Sequence, residues 1–146
     1  MTRARQRTAV FASLLVGCLL AETVSAQVLM GSYYAEIGPE DRRNSSGTAL
    51  RDAGGILQQD RANVHRFGIR HTGDQIDGVF DTPDLRGTLP DLFRRSARAP
   101  GVDAGLLGQS GAHFRILVLL CGDGRTLSHV VVDEVGGTRP LGCAAQ

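Results

Sequence analysis

The sequence predicts an α+β fold: a small antiparallel sheet with two helices on one face and a C-terminal β-hairpin. Three observations predict it. Residues 113–121 (HFRILVLLC) and 126–135 (TLSHVVVDEV) are β-rich runs around Gly122-Asp123-Gly124-Arg125, the pattern of a hairpin. Residues 52–67 and 82–97 carry apolar side chains at helical spacing. The resulting order of strand, helix, helix, strand, strand lets both helices bury their apolar stripes against one face of an antiparallel sheet.

Each element has its own justification. Residues 27–37 (QVLMGSYYAEI) are rich in β-formers, and Gly38-Pro39 ends the strand. Residues 40–47 (EDRRNSSG) are a polar loop. In 52–67 the apolar positions Ala53, Ile56, Leu57, Val64 and Phe67 recur three, four and seven apart, with Asp52 as N-cap and Gly68 as the residue after the helix. Gly54 and Gly55 weaken its first turn and favour a later start. Residues 68–81 have no sustained period and read as a loop.

Thr82-Pro83 is an N-cap followed by proline at the first helical position, and Leu85, Leu89, Leu92, Phe93 and Ala97 follow at helical spacing. Pro90 inside that run predicts a kink or two short helices. Residues 99–111 are Gly-rich and read as a connection. The continuous apolar run 116–120 predicts a central strand covered on both faces.

Residues 1–26 have the layout of a secretory signal peptide. Arg3, Arg5 and Arg7 precede an apolar stretch over 9–21, and Val24-Ser25-Ala26 places small residues before a cleavage point at Gln27. The apolar stretch is shorter than the roughly 20 residues that span a bilayer, so no transmembrane span is expected in the mature form. Leu15-Val16-Gly17-Cys18 resembles the lipobox of bacterial lipoproteins, which would make Cys18 a lipid anchor; Leu19 and Leu20 prolong the apolar run past it and argue for ordinary cleavage. The expected product is a single globular domain over 27–146, periplasmic or secreted.

Charge and composition narrow its partners. Without the signal, 13 Arg face 14 acidic residues, a near-neutral balance that offers no basic patch for nucleic acid. All 16 basic residues of the chain are Arg. Lacking lysine, it can neither form a lysine Schiff base nor supply a P-loop lysine. Cys121 and Cys143, the two cysteines beyond the signal, are expected to pair as a disulfide in an oxidising compartment.

Ionisable side chains concentrate in 58–81 (QQDRANVHRFGIRHTGDQIDGVFD). One reading is structural: charges on a solvated helix face, or Arg61 or Arg66 tying loop carboxylates down as a fold staple. A second is recognition of a ligand or anion by Arg61, His65, Arg66 and Arg70. A third is a divalent metal held by His71, Asp74, Asp77 and Asp81, whose oxygen ligands on a Gly-containing loop suit calcium although the spacing is not that of an EF-hand. No other cofactor is implied. A fourth is phosphate chemistry, since Arg70-His71-Thr72-Gly73 bears a likeness to the Arg-His-Gly signature of histidine phosphatases.

Nucleophile motifs are poor, and no catalytic residue is assigned. Gly108-Gln109-Ser110-Gly111 is half of a nucleophile elbow, with Ala112 where the second glycine belongs. Ser128 and His129 are neighbours on a strand, and alternation is expected to point them to opposite faces. Asn44-Ser45-Ser46 is a formal glycosylation sequon.

Residues 58–68 (QQDRANVHRFG), with Tyr33-Tyr34-Ala35 and Asn44-Ser45-Ser46-Gly47, resemble a group of small secreted bacterial proteins of no established function that share a QDRANxHRFG segment. The resemblance implies export and a single domain, and no activity. The expectation is an exported module that acts by binding, as ligand capture or hydrolase inhibition. The alternative is a small metal-dependent or phosphate-directed hydrolase built on the His65 to Asp81 cluster.

Overall fold

The computed structural model describes residues 27–108, 112–137 and 142–143. The signal segment, Cys18 included, lies outside the described residues, as do Gln109 and Ser110 of the half-elbow. The elements are β1 (Val28–Ile37), α1 (Ala53–Ala62), α2 (Pro83–Gly87), α3 (Leu89–Arg94), β2 (Ala97–Arg98), α4 (Val102–Leu107), β3 (Phe114–Gly122) and β4 (Leu127–Glu134). The sheet order is β1-β3-β4-β2. β3 pairs antiparallel with both β1 and β4, and the two-residue β2 runs parallel to β4. The α+β class and the C-terminal hairpin are as the sequence predicts.

Local chemistry explains most boundaries. Asp52 caps α1 by accepting from the Gly55 amide, and Gly68 takes a left-handed φ of 68° after the helix has continued through a π-helical turn at Asn63–Phe67. The helix starts at Ala53 in spite of its two glycines. A Cβ on Gly54 would come 2.8 Å from the Pro90 Cα, so the bare position lets α3 approach α1. Thr82 caps α2, and Pro90 opens a separate α3, the two short helices expected of the proline.

The core lies between the helices and one face of the sheet. Tyr33, Ala35 and Ile37 of β1, Ile116, Val118 and Leu120 of β3, and Val130 and Val132 of β4 meet Ile56, Leu57, Leu89, Leu92, Phe93, Val102 and Leu106. Two elements depart from the sequence reading: a strand at 97–98, where 97 reads as the end of the second helical run, and a helix inside the Gly-rich connection 99–111. Residues 97–98 extend the sheet, and Val102–Leu107 is a helix whose Val102 and Leu106 are buried. Gly101, at φ 94°, makes the turn between them.

β3 is the central strand, but its second face is covered, among the described residues, only around a small cluster of Cys121, Val131, Cys143 and Leu119. Cys121 and Cys143 are joined as a disulfide with Cα atoms 5.4 Å apart. The bridge closes a sequence separation of 22 residues, worth about 3 kcal/mol in the chain-entropy account. Urea unfolding should therefore show a lower midpoint under reductant and in Cys121→Ser/Cys143→Ser; coincident midpoints would refute a stabilising bridge. Among the described residues no helix is long and apolar enough to cross a membrane.

Candidate functional site

The segment 58–81 folds onto the outer edge of β1. The Gln75 amide donates to the Tyr34 carbonyl at 2.9 Å, the Tyr34 amide to Gln75 Oε1 at 3.1 Å, and the Glu36 amide to Asp74 Oδ1 at 2.7 Å. One backbone amide and two side chains thus stand in for a further strand and blunt that edge.

Arg61 is the anchor of this arrangement and is fully buried. Its Nε donates to Asp60 Oδ2 at 2.7 Å, and its Nη1 to the Gln75 carbonyl at 2.8 Å and Asp77 Oδ2 at 3.1 Å. The guanidinium stacks over the Tyr33 ring at 4.3 Å. Asp77 Oδ2 also meets His65 Nε2 at 2.9 Å, while Asp77 Oδ1 accepts the amides of Val79 and Phe80. One carboxylate therefore ties helix, guanidinium, imidazole and loop backbone together.

A second branch runs through Asn63. Its Nδ2 donates to Asp41 Oδ1 at 2.8 Å, and Asp41 Oδ2 accepts the Gly38 amide at 2.8 Å, fixing the loop after β1. His71 sits between Asp41, Asp74 and Glu40, its Nε2 3.3 Å from Glu40 Oε2. Its ring stands edge-on to His113 at 4.7 Å, and His113 Nδ1 lies 2.7 Å from Glu36 Oε1.

The electrostatics follow from burial and from one guanidinium serving several carboxylates. Burial pushes the Asp60 carboxyl up to about 7, Arg61 holding it down only in part. Burial also raises Asp41 and keeps Tyr33 a neutral phenol. For Asp77 the same penalty is outweighed by the Phe80 amide, His65 and Arg61, and its carboxyl is lowered. Burial alone would lower Arg61, yet Asp60, Tyr33 and Asp77 raise it. His71 is likewise raised, Asp41, Glu40 and Asp74 overcoming its desolvation.

The four residues read as an anion contact do not share one environment. Arg61 is in the core, His65 is half-buried against Asp77, and Arg66 and Arg70 are exposed, Arg66 lying 5.0 Å over the Phe67 ring. Of the metal candidates, His71 Nδ1 is 3.5 Å from Asp74 Oδ2, but Asp77 is committed to Arg61 and His65, and Asp81 is exposed. Among the described residues no three His, Cys, Asp or Glu side chains converge as a metal requires.

The expectation for Ser128 and His129 is overturned. Ser128 Oγ lies 2.8 Å from His129 Nδ1. The register slips between Cys121 and Gly122, leaving Ser128 as the extra residue of a bulge, and a bulge re-aims a side chain that alternation would send away. Ser128 Oγ also meets Gln27 Oε1 at 2.7 Å and the Cys121 carbonyl at 3.2 Å, so one hydroxyl proton has three acceptors in reach.

An open cavity lies elsewhere among the described residues, and sequence reasoning misses it. About 560 Å³ of space is bounded by Arg42, Arg43 and Arg51 with Pro39, Leu50 and Leu107. The Arg42-Arg43 pair is visible in the polar loop 40–47, but the cavity needs α4 to pack beside that loop. Compared with protein-family models, curated proteins and solved structures, the chain matches none. The functional reading therefore rests on these residues alone.

Proposed function

We propose that the chain is an exported binding module, periplasmic or secreted, that captures a ligand or inhibits a partner and performs no catalysis of its own. One observation carries this reading: the buried members of the ionisable cluster of 58–81, Asp60, Arg61 and Asp77, where an active site would be sought, are consumed in holding the fold. Arg61 is sealed from solvent, and the Asp77 oxygens are occupied by Arg61, His65 and two backbone amides. A group that must hold a loop closed is poorly placed to move protons on a substrate. The disulfide fits an oxidising compartment, and the signal-like residues 1–26 support export.

The test joins binding to turnover. A thermal-shift panel of phosphorylated compounds, cell-wall fragments, divalent metals and chelator should give a saturable rise in Tm with at least one compound. Ester, phosphoester, peptide and glycoside substrates should show no turnover. Turnover that disappears in His65→Ala or His71→Ala while the circular dichroism spectrum stays native would establish an enzyme and overturn the reading.

A further inference from the structure

We propose that the groove between the loop 39–51 and α4 binds an amphipathic anion, a carboxylate or phosphate carried on an apolar chain, through Arg43 and Arg51. The inference deepens the binding-module reading and rests on it. The groove's size is that of a small-molecule site rather than of a docked domain: about 560 Å³ lies within the usual range of some 300–1,000 Å³.

Its charge is one-sided. Among the described residues three guanidiniums line it, no carboxylate does, and none of the three has an acidic side chain within ion-pair distance. The acids beside them in sequence are engaged elsewhere: Glu40 meets His71, Asp41 accepts from Gly38 and Asn63, and Asp52 caps α1. A partly desolvated cluster of like charge is an anion site by elementary electrostatics.

The three arginines divide the work. Arg42 is structural: its Nε, Nη1 and Nη2 donate to the carbonyls of Leu106, Ala112 and Gly105, which fixes α4 against the loop and holds a positive charge at the groove's back. Burial lowers its basicity, a sign that the charge there is poorly solvated. Arg43 uses only Nη1, towards the Gly47 carbonyl at 2.9 Å, and keeps its other donors. Arg51 is exposed and makes no hydrogen bond or ion pair among the described residues. Two such forks can each grip a pair of anion oxygens.

The remaining wall is apolar. Leu50 is half-buried and backs onto the core, and Leu107 is 37% exposed on the last turn of α4. A bare ion would leave these surfaces wet. An apolar chain behind the anionic head would cover them, at about 25 cal/mol per Å² removed from water.

Isothermal titration of the purified protein with octyl phosphate and octanoate, against inorganic phosphate, acetate and octanol, tests this. Both octyl anions should saturate at least about tenfold more tightly than the bare ions or octanol. Arg43→Ala/Arg51→Ala should weaken them by about tenfold or more at unchanged Tm, because both side chains are exposed. Octanol binding as well as the anions, an indifferent double variant, or no saturation would each overturn the proposal. If the octyl anions fail while another compound of the panel saturates, this ligand class falls while the binding module stands. Turnover would remove both.

Discussion

Arg61→Leu is expected to lower the stability of the folded protein by about 3–5 kcal/mol, the cost of removing one partner of a buried charge cluster. The magnitude follows from what is left behind. Asp60 and Asp77 are buried, and Asp74 lies 4.0 Å from Arg61 Nη2, so three carboxylates lose their shared cation in a site without water access. The Gln75 carbonyl also loses its donor, and with it the loop that seals the β1 edge is loosened. Against a typical stability of about 5–15 kcal/mol this is a large fraction.

Two further variants separate the charge effect from lost packing. Arg61→Lys should recover only part of the loss, since one ammonium cannot reach Asp60, Asp77 and the Gln75 carbonyl together. Asp60→Asn combined with Arg61→Leu should cost less than Arg61→Leu alone, because the double variant strands one carboxylate fewer. Arg66→Ala, on the same segment but exposed, should stay within about 0.5 kcal/mol of the native protein. Urea unfolding gives all four numbers. A native-like Arg61→Leu midpoint would show that the cluster is not a staple.

Arg61 and Arg66 show where sequence reasoning stops. Both are arginines in one helical segment, and the one local difference, Asp60 beside Arg61, does not by itself place that arginine in the core. What separates them is Asp77, sixteen residues along, which meets Arg61 in space. Features whose cause is local could be read directly: the Asp52 cap, the Gly68 reversal, the break at Pro90, and the Gly122 to Arg125 turn, where Asp123 Oδ1 accepts the amides of Arg125 and Thr126.

Features whose cause is tertiary could not. α4 is six residues long, too short for a periodic signal, and exists because Val102 and Leu106 find the core and Arg42 ties its last carbonyls. β2 is two residues that are strand only by virtue of β4 beside them. The alternation rule failed at Ser128 because a bulge is a property of two paired strands.

The same cluster should make the protein more stable at pH 5 than at pH 8. Asp60 is the main cause. Burial pushes its carboxyl from 3.8 to about 7, so inside the fold its ionisation is disfavoured by on the order of 4 kcal/mol at most, at about 1.4 kcal/mol per pH unit. Between about pH 4 and 7 the unfolded chain has released this proton while the folded chain keeps it. The folded state binds more protons there, and stability must fall as pH rises through that window.

Asp41, raised by burial, acts in the same direction. His71, also raised, contributes stability that is fully present below its ordinary 6.5 and is lost as pH climbs through its higher folded value. Opposing them, Glu36 is lowered chiefly by His113, Glu40 by its own backbone amide, and Asp77 by the Phe80 amide, His65 and Arg61 in spite of burial. Their contribution is present at pH 5 and is lost only on further acidification, below about 4.5. The stability curve therefore peaks in mild acid and falls on both sides.

Asp60→Asn isolates the contribution of that one carboxyl. An asparagine can still accept from Arg61 Nε through its carbonyl oxygen, so the hydrogen bond survives while the surplus charge does not. The variant should match or exceed the native protein at pH 8 and lose most of the slope between pH 5 and 7. Asp60 Oδ1 has no hydrogen-bond partner among the described residues, so a full charge on that carboxylate has little to sustain it. Urea unfolding of both proteins at pH 5, 6, 7 and 8 decides the matter: a native stability that rises with pH, or an unchanged slope in the variant, would place the extra proton on another group.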